Sequence, residues 1–356
     1  MTPQEVFRQR LAQQQLSQTP FLEPSEVVAW LGAIQAQDYL GSKWALGLRM
    51  RQGTDAQIEQ AFNNGAILRT HVMRPTWHFV TPADIRWLLA LTAPRVKAAN
   101  APAVRRLELD DALFGLCNEL IAKTLQGGQA RTRAELSSIL ATAGIVGDSL
   151  RTGHILMRAE IDGVICSGPR RGKQLTYALL DERAPNARRL ERDEALAELT
   201  RRYFTGHGPA TIRDFVWWSG LTVADAKAGL DMVASDLEHS TLHDQTYYFS
   251  ANDPPTAKRS QDAYLLPTYD EFLVGYAGFD KARQGGQDRQ RKIAFESRLV
   301  TEDKIAGSWR RTIKKEMALL EIAPFAPLTA REQAAIARAA QRYEEFIGLP
   351  VSLSIV

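Results

Sequence analysis

The chain has 356 residues, 45% of them hydrophobic and 24% charged, enough apolar material for several compact units. A formal charge of +3 excludes nothing about nucleic acid, because the placement of cations matters more than their total. Two cysteines far apart, Cys117 and Cys166, form neither a disulfide framework nor a zinc spacing, and no apolar run spans a bilayer or resembles a secretory core. A reducing cytoplasm is the expected setting.

In chain order, Pro3 to Leu16 reads as a surface helix with a narrow apolar stripe of Val6, Phe7 and Leu11. A second helix starts at Ser25, with Val27, Val28, Trp30, Leu31 and Ile34 inward, and Gly41-Ser42 marks a break before a third helix, Thr54 to Phe62. Alternating β-branched and aromatic residues then predict a hairpin, Ile67 to Met73 and Thr76 to Val80, turning at Arg74-Pro75. Three helices and a hairpin is the winged-helix order.

The order recurs. A connecting helix from Pro82 to about Asn100 leads to a helix over Asp110 to Leu125. A capping box at Thr132-Arg133-Ala134-Glu135 opens the next, and another runs from Asp148 to Ile161. Strands Gly163 to Ser167 and Gln174 to Leu180 flank a basic tip, Gly168 to Lys173. A third round has helices from Asp193, Thr211 and Thr222, then strands Leu237 to His243 and Tyr247 to Ser250. Beyond Pro254, Tyr264 to Pro267, Arg298 to Val300 and Lys304 to Arg310 read as strands, and Thr329 to Phe346 as a final helix. Residues 281–315 hold eleven Lys/Arg against four Asp/Glu, an electrostatic footprint sharper than the whole-chain charge.

The expected architecture is mostly α with small β-hairpin wings, an α+β chain of three tandem winged-helix (helix-turn-helix) domains at 1–105, 106–190 and 191–255, with a β-containing extension at 256–356. The repeat is one of element order, without identity at a fixed period.

Two amides sit one residue apart at Gln35 and Gln37. On a regular helix they would point about 200° from each other, so they share a target only if the helix breaks or turns extended there. As isolated residues they are ordinary polar helix-end glutamines. Arg69, His71 and His78 alternate along the first hairpin, and with Arg74 they could reach phosphate or the minor groove; the histidines alone would be half-buried strand residues. Arg170, Arg171 and Lys173 are either solvated turn charges or phosphate contacts from a wing. Trp217 and Trp218, at helical spacing with Phe215 and Leu221, read as core.

Helix-helix-helix-hairpin taken three times, together with Ile34-Gln35-Ala36-Gln37, resembles the AlkZ-like tandem winged-helix DNA glycosylases over nearly the whole chain. The likeness extends to Arg74-Pro75-Thr76-Trp77-His78, where Pro75 replaces the family's usual glycine, to Pro209 through Leu221, and to Leu266-Pro267-Thr268-Tyr269-Asp270-Glu271. The resemblance implies that Gln35 and Gln37 are catalytic and that the partner is double-stranded DNA. It also implies metal- and cofactor-independent hydrolysis of the N-glycosidic bond of alkylated, including bulky or crosslinked, purines.

N7-alkylation makes the purine a cation that leaves readily, so what remains is to hold a water near the anomeric carbon and stabilise an oxocarbenium-like sugar. Neutral amides both donate and accept hydrogen bonds and can do this. Gln37 is assigned the water and Gln35 the deoxyribose or flanking phosphate, the exchanged assignment standing as the alternative. Asp38 is a possible base but more commonly a cap or ion-pair partner. A cytoplasmic, nucleoid-associated monomer is expected. The rival is a winged-helix transcriptional regulator without catalysis, which ordinarily needs a dimerisation element; no long heptad run is present.

Overall fold

The computed structural model describes residues 1–145, 147–251, 262–277, 296–301 and 303–356. They are α+β: helices joined by small antiparallel hairpins and one mixed sheet. Cα proximity groups them into two compact units, one of residues 1–59, 197–218 and 222–356, the other of residues 60–196 and 219–221.

The second unit begins with an antiparallel hairpin, Leu68–His71 against Trp77–Val80, in which Arg69 faces Phe79 and His71 faces Trp77. After helix Ile85–Arg106 come helices Asp111–Leu125, Arg133–Thr142 and Ser149–Ile161, then strands Ile165–Arg171 and Gln174–Leu179. Phe114, Cys117, Ile121 and Leu125 recur at helical spacing on one face. They pack with Leu136, Leu140, Ile155, Leu156, Ala159 and Ile165 into one core. The capping box at Thr132 and Glu135 forms as the sequence predicts. The first strand of the basic hairpin runs on to Arg171, further than expected, and the tip shrinks to Gly172-Lys173. An irregularity between Gly168 and Arg171 absorbs the extra residues, and Gly172 takes the positive φ of 60° that the turn needs.

In the first unit, helices Pro3–Gln13, Pro24–Leu31 and Tyr39–Gly47 precede helices Ile212–Ser219 and Val223–Met232. The hairpin Leu237–Leu242 with Gln245–Ser250 turns on His243 and Asp244, both at positive φ. A five-stranded sheet follows in the order Val351–Ile355, Ala318–Pro324, Ile305–Ile313, Ser297–Val300, Tyr264–Leu266. Only the first pair is parallel, and helix Ala330–Ile347 makes that crossover. This helix turns Ala335, Ile336, Ala339, Ala340, Tyr343 and Phe346 inward, and Trp44 meets Tyr343 and Phe346 with ring centroids 4.9 Å apart in each case.

Three expectations are corrected. Gly41-Ser42 does not break the chain but lies inside helix Tyr39–Gly47. A Cβ on Gly41 would stand 2.5 Å from Asp38 Oδ2 and 3.2 Å from Pro267, and one on Gly47 2.5 Å from the Phe346 ring. These glycines serve close approach rather than helix termination. Strands Ala318–Pro324 and Val351–Ile355 were not anticipated, although Val351-Ser352-Leu353-Ser354-Ile355 alternates cleanly. Trp218 is fully buried as expected of core, whereas Trp217 is 47% exposed with its indole N–H donated to the Val274 carbonyl. Of the basic stretch 281–315, residues 281–295 lie outside the described residues, and much of the remainder is β-strand.

Candidate active site

Helix Pro24–Leu31 stops at Gly32, whose φ of 79° ends the helical path. Ile34–Gln35 is a two-residue strand, Gln37 and Asp38 form a bend, and helix resumes only at Tyr39. Helical periodicity, which would turn the two amides apart, does not govern this stretch. Ala33, Ile34 and Ala36 are buried and anchor it; Gln35 is 7% exposed and Gln37 is exposed.

The backbone of Gln35 is held from far along the chain. Its N–H donates to Glu271 Oε1 at 2.7 Å. The other oxygen of that carboxylate accepts the Trp218 indole N–H at 2.8 Å, with His207 Nε2 3.4 Å away. Glu271, His207 and Trp218 are each 0% exposed. Burial pushes the His207 pKa down, and the nearby Glu271 opposes that shift without reversing it.

A second buried pair lies next to the first in sequence. Arg49 makes a two-pronged bond to Asp270, Nη1 to Oδ2 at 2.8 Å and Nη2 to Oδ1 at 2.9 Å, and donates to Gln14 Oε1 at 2.8 Å. Gln14 donates to the Tyr276 hydroxyl, which donates to the His207 carbonyl at 2.8 Å. Burial raises the Tyr276 and Tyr203 phenols well above their ordinary value, so both remain hydrogen-bond donors. Asp38 engages Arg311 at 3.3 Å, the ion-pair alternative in the sequence reading.

The remaining candidates belong to the other unit. His71 is 4% exposed, its Nδ1 bonded to Glu160 and its ring 4.3 Å from Trp77. His78 is 0% exposed and its Nδ1–H donates to the Thr76 carbonyl. Both rings therefore support the hairpin from within instead of standing on its surface. Arg69 is 8% exposed, its guanidinium 4.2 Å from the Trp77 ring centre, and it lines a cavity of about 700 Å³ with Trp77, Arg133, Ser137, Glu160 and Tyr177. Arg74 is half-buried in the hairpin turn.

At the basic hairpin, the Arg170 backbone N–H donates to Asn63 Oδ1 at 2.7 Å. Arg171 folds back onto Glu135 Oε1 at 2.7 Å and the Ala130 carbonyl at 2.8 Å, while Lys173 at the tip is exposed. Glu135 is pulled down to about 2, first by the Thr132 N–H and then by Arg171.

Sequence reasoning missed Glu271, Asp270, Arg49 and His207 as parts of the site. Adjacent acids between Tyr269 and Phe272-Leu273 were the available sign, since carboxylates embedded in an apolar run are commonly buried and paired.

The chain is similar to an interstrand DNA cross-link repair glycosylase of Streptomyces sahachiroi, at 25% identity over 335 residues and 86% of each sequence. Its fold is similar to the solved structure of the Streptomyces sahachiroi DNA glycosylase AlkZ, with a TM-score of 0.79 over 99% of both chains at 21% identity. The family model of AlkZ-like DNA glycosylases matches residues 28–346, and the chain accordingly belongs to that family.

Proposed function

We propose that this protein is a monofunctional glycosylase that removes N7-alkylated purines, bulky and crosslinked adducts included, from duplex DNA, acting as a monomer and without a metal. The observation that carries this reading is the position of Gln35 and Gln37 outside any helix, in a short irregular segment whose Gln35 N–H is bonded to a buried carboxylate. The helical period that would turn the two amides about 200° apart does not operate here.

In this reading Gln37, the exposed amide, accepts a hydrogen bond from a water and aims its oxygen at the anomeric carbon. Gln35 donates to the deoxyribose or flanking phosphate. The C1′–N9 bond breaks with its electron pair going to the purine, which neutralises the N7 cation. The C1′–O bond forms from water, whose proton passes to solvent. Departure of a cationic base needs no strong acid, and the site offers dipoles where charge develops. The name of the Streptomyces relative supports crosslinked substrates.

We further propose that the three rounds of helices and hairpin are winged-helix units, with Arg170, Arg171, Lys173, Arg69 and Arg74 toward the phosphates. His71 and His78 then act by holding the first hairpin in place.

The test is incubation with duplexes carrying N7-methylguanine and larger N7 adducts, followed by hot-alkali cleavage at abasic sites. Strand breaks at the adduct are expected; their absence across all adducts overturns the enzymatic reading.

A further inference from the structure

Glu271 is a carboxylate with no exposure, and taking a charge out of water costs several kcal/mol unless strong hydrogen bonds replace the lost hydration. Its two oxygens are directed to different elements. Oε1 receives the main-chain N–H of Gln35 at 2.7 Å, and Oε2 the Trp218 indole N–H at 2.8 Å. The first bond fixes where the Gln35 side chain begins without using its amide.

The carboxylate itself has little room to shift. Asp270 beside it is clamped by Arg49 and caps the Phe272 N–H at 2.9 Å. On the far side, a Cβ added to Gly275 would lie 2.6 Å from the Glu271 carbonyl and 2.9 Å from the His207 ring, so only glycine lets this turn close on the histidine. Gly206, on the helix that carries His207, is similarly tight, a Cβ there lying 2.9 Å from the carbonyl of Trp30, which precedes the Gln35 segment by one helical turn. Three separated stretches, near residues 30–35, 203–218 and 270–276, thus close on the carboxylate that accepts the Gln35 N–H.

We infer that Glu271 is a positioning residue of the site, helping to set the placement of Gln35 and through it Gln37 by a charge-assisted bond to the backbone. This rests on the reading of the two glutamines as the catalytic pair. A displacement of about 1 Å in a group that orients a nucleophile costs on the order of 100-fold in rate, so a rigid backbone anchor has direct kinetic value.

The isosteric variant Glu271→Gln tests this. Its amide oxygen can still accept from Gln35, but its NH₂ then faces the Trp218 N–H, donor against donor, and one of the two bonds is lost. Expected are a kcat for N7-methylguanine release reduced about tenfold or more, a duplex KM changed less than twofold, and faster deuterium uptake in the peptide covering residues 33–38. Glu271→Asp keeps the charge but withdraws it by one methylene, and the same kcat loss is expected. It serves as the second variant if Glu271→Gln folds poorly.

Either folded variant releasing base at the wild-type rate overturns the inference while leaving the glycosylase reading intact. Should the wild-type protein release no base at all, the catalytic reading fails, and deuterium uptake alone decides: unchanged uptake over residues 33–38 in Glu271→Gln overturns the anchoring role, and accelerated uptake supports it.

Discussion

The Gln35–Gln37 segment and the basic hairpin Ile165–Leu179 are both short β pieces reached from a helix, but they are held in opposite ways. The hairpin is secured by near neighbours: its two strands pair with each other, Thr176 donates to the Pro169 carbonyl at 2.6 Å, and Arg171 bonds Glu135 and Ala130. The glutamine segment has only a two-residue strand, and one of its backbone bonds goes to a carboxylate 236 positions later. A surface wing tolerates a loose local scaffold because phosphate attraction falls off gently with distance, whereas a pair of neutral amides must be placed to within a fraction of an ångström.

The strongest way to break this comparison is Gln37→Ala. Loss of one oriented dipole is expected to lower base release by on the order of 100-fold or more, with duplex affinity largely kept. A single-turnover assay with N7-methylguanine duplex reads it, and release at the wild-type rate removes Gln37 from the chemistry.

The scaffold beneath is probed by Arg49→Met. It leaves Asp270 buried without its two-pronged partner and is expected to cost about 3–5 kcal/mol, seen as a depressed thermal midpoint. A midpoint within a degree or two of wild type shows that the Asp270 turn does not depend on the pair.

On the wing side, Lys173→Ala is expected to weaken binding evenly across sequences and to reduce the slope of log affinity against log salt by about 1. Arg171→Ala is expected to change the slope less, because Arg171 is already tied to Glu135. Equal slopes for both variants and wild type place the tip away from phosphate.

The smallest expected effect is an acid one. Glu135 has its pKa lowered from 4.5 to about 2 in the folded protein, so its contribution is complete above pH 4.5 and is lost as pH falls toward 2. Urea midpoints of wild type and Glu135→Gln should differ at pH 7 and converge toward pH 2. A constant difference across that range removes the carboxylate's charge as the cause.

The same contrast explains what could be read from the sequence. The helices of the second unit follow from Phe114, Cys117, Ile121 and Leu125 at helical spacing and from the Thr132 cap. The strand pair within 237–250 is likewise expected from the sequence, although its turn, His243-Asp244, begins inside the first expected strand. Such signals are local. Helix Tyr39–Gly47 was not legible because its glycines answer to Pro267 and Phe346, which no local window contains. Gln35 and Gln37 stood out by motif, but their support did not, since nothing near Gln35 points to Glu271. His71 and His78 read as polar hairpin positions, but the register sets them on opposite faces, His71 opposite Trp77 and His78 opposite Thr70, and Glu160 and the hairpin's own turn take up their ring nitrogens.

The distance between Gln35 and its anchor also orders events during synthesis. Gln35 and Arg49 are made first, and the carboxylates that bond them, Glu271 and Asp270, follow by 236 and 221 residues. Helices and hairpins of the second unit complete themselves from contiguous sequence well before that point. A nascent chain therefore acquires its basic wing first and this anchor of its glutamine pair only once Glu271 has been made, so that any product cut short before Glu271 carries cations suited to DNA without the buried carboxylate that steadies the glutamines.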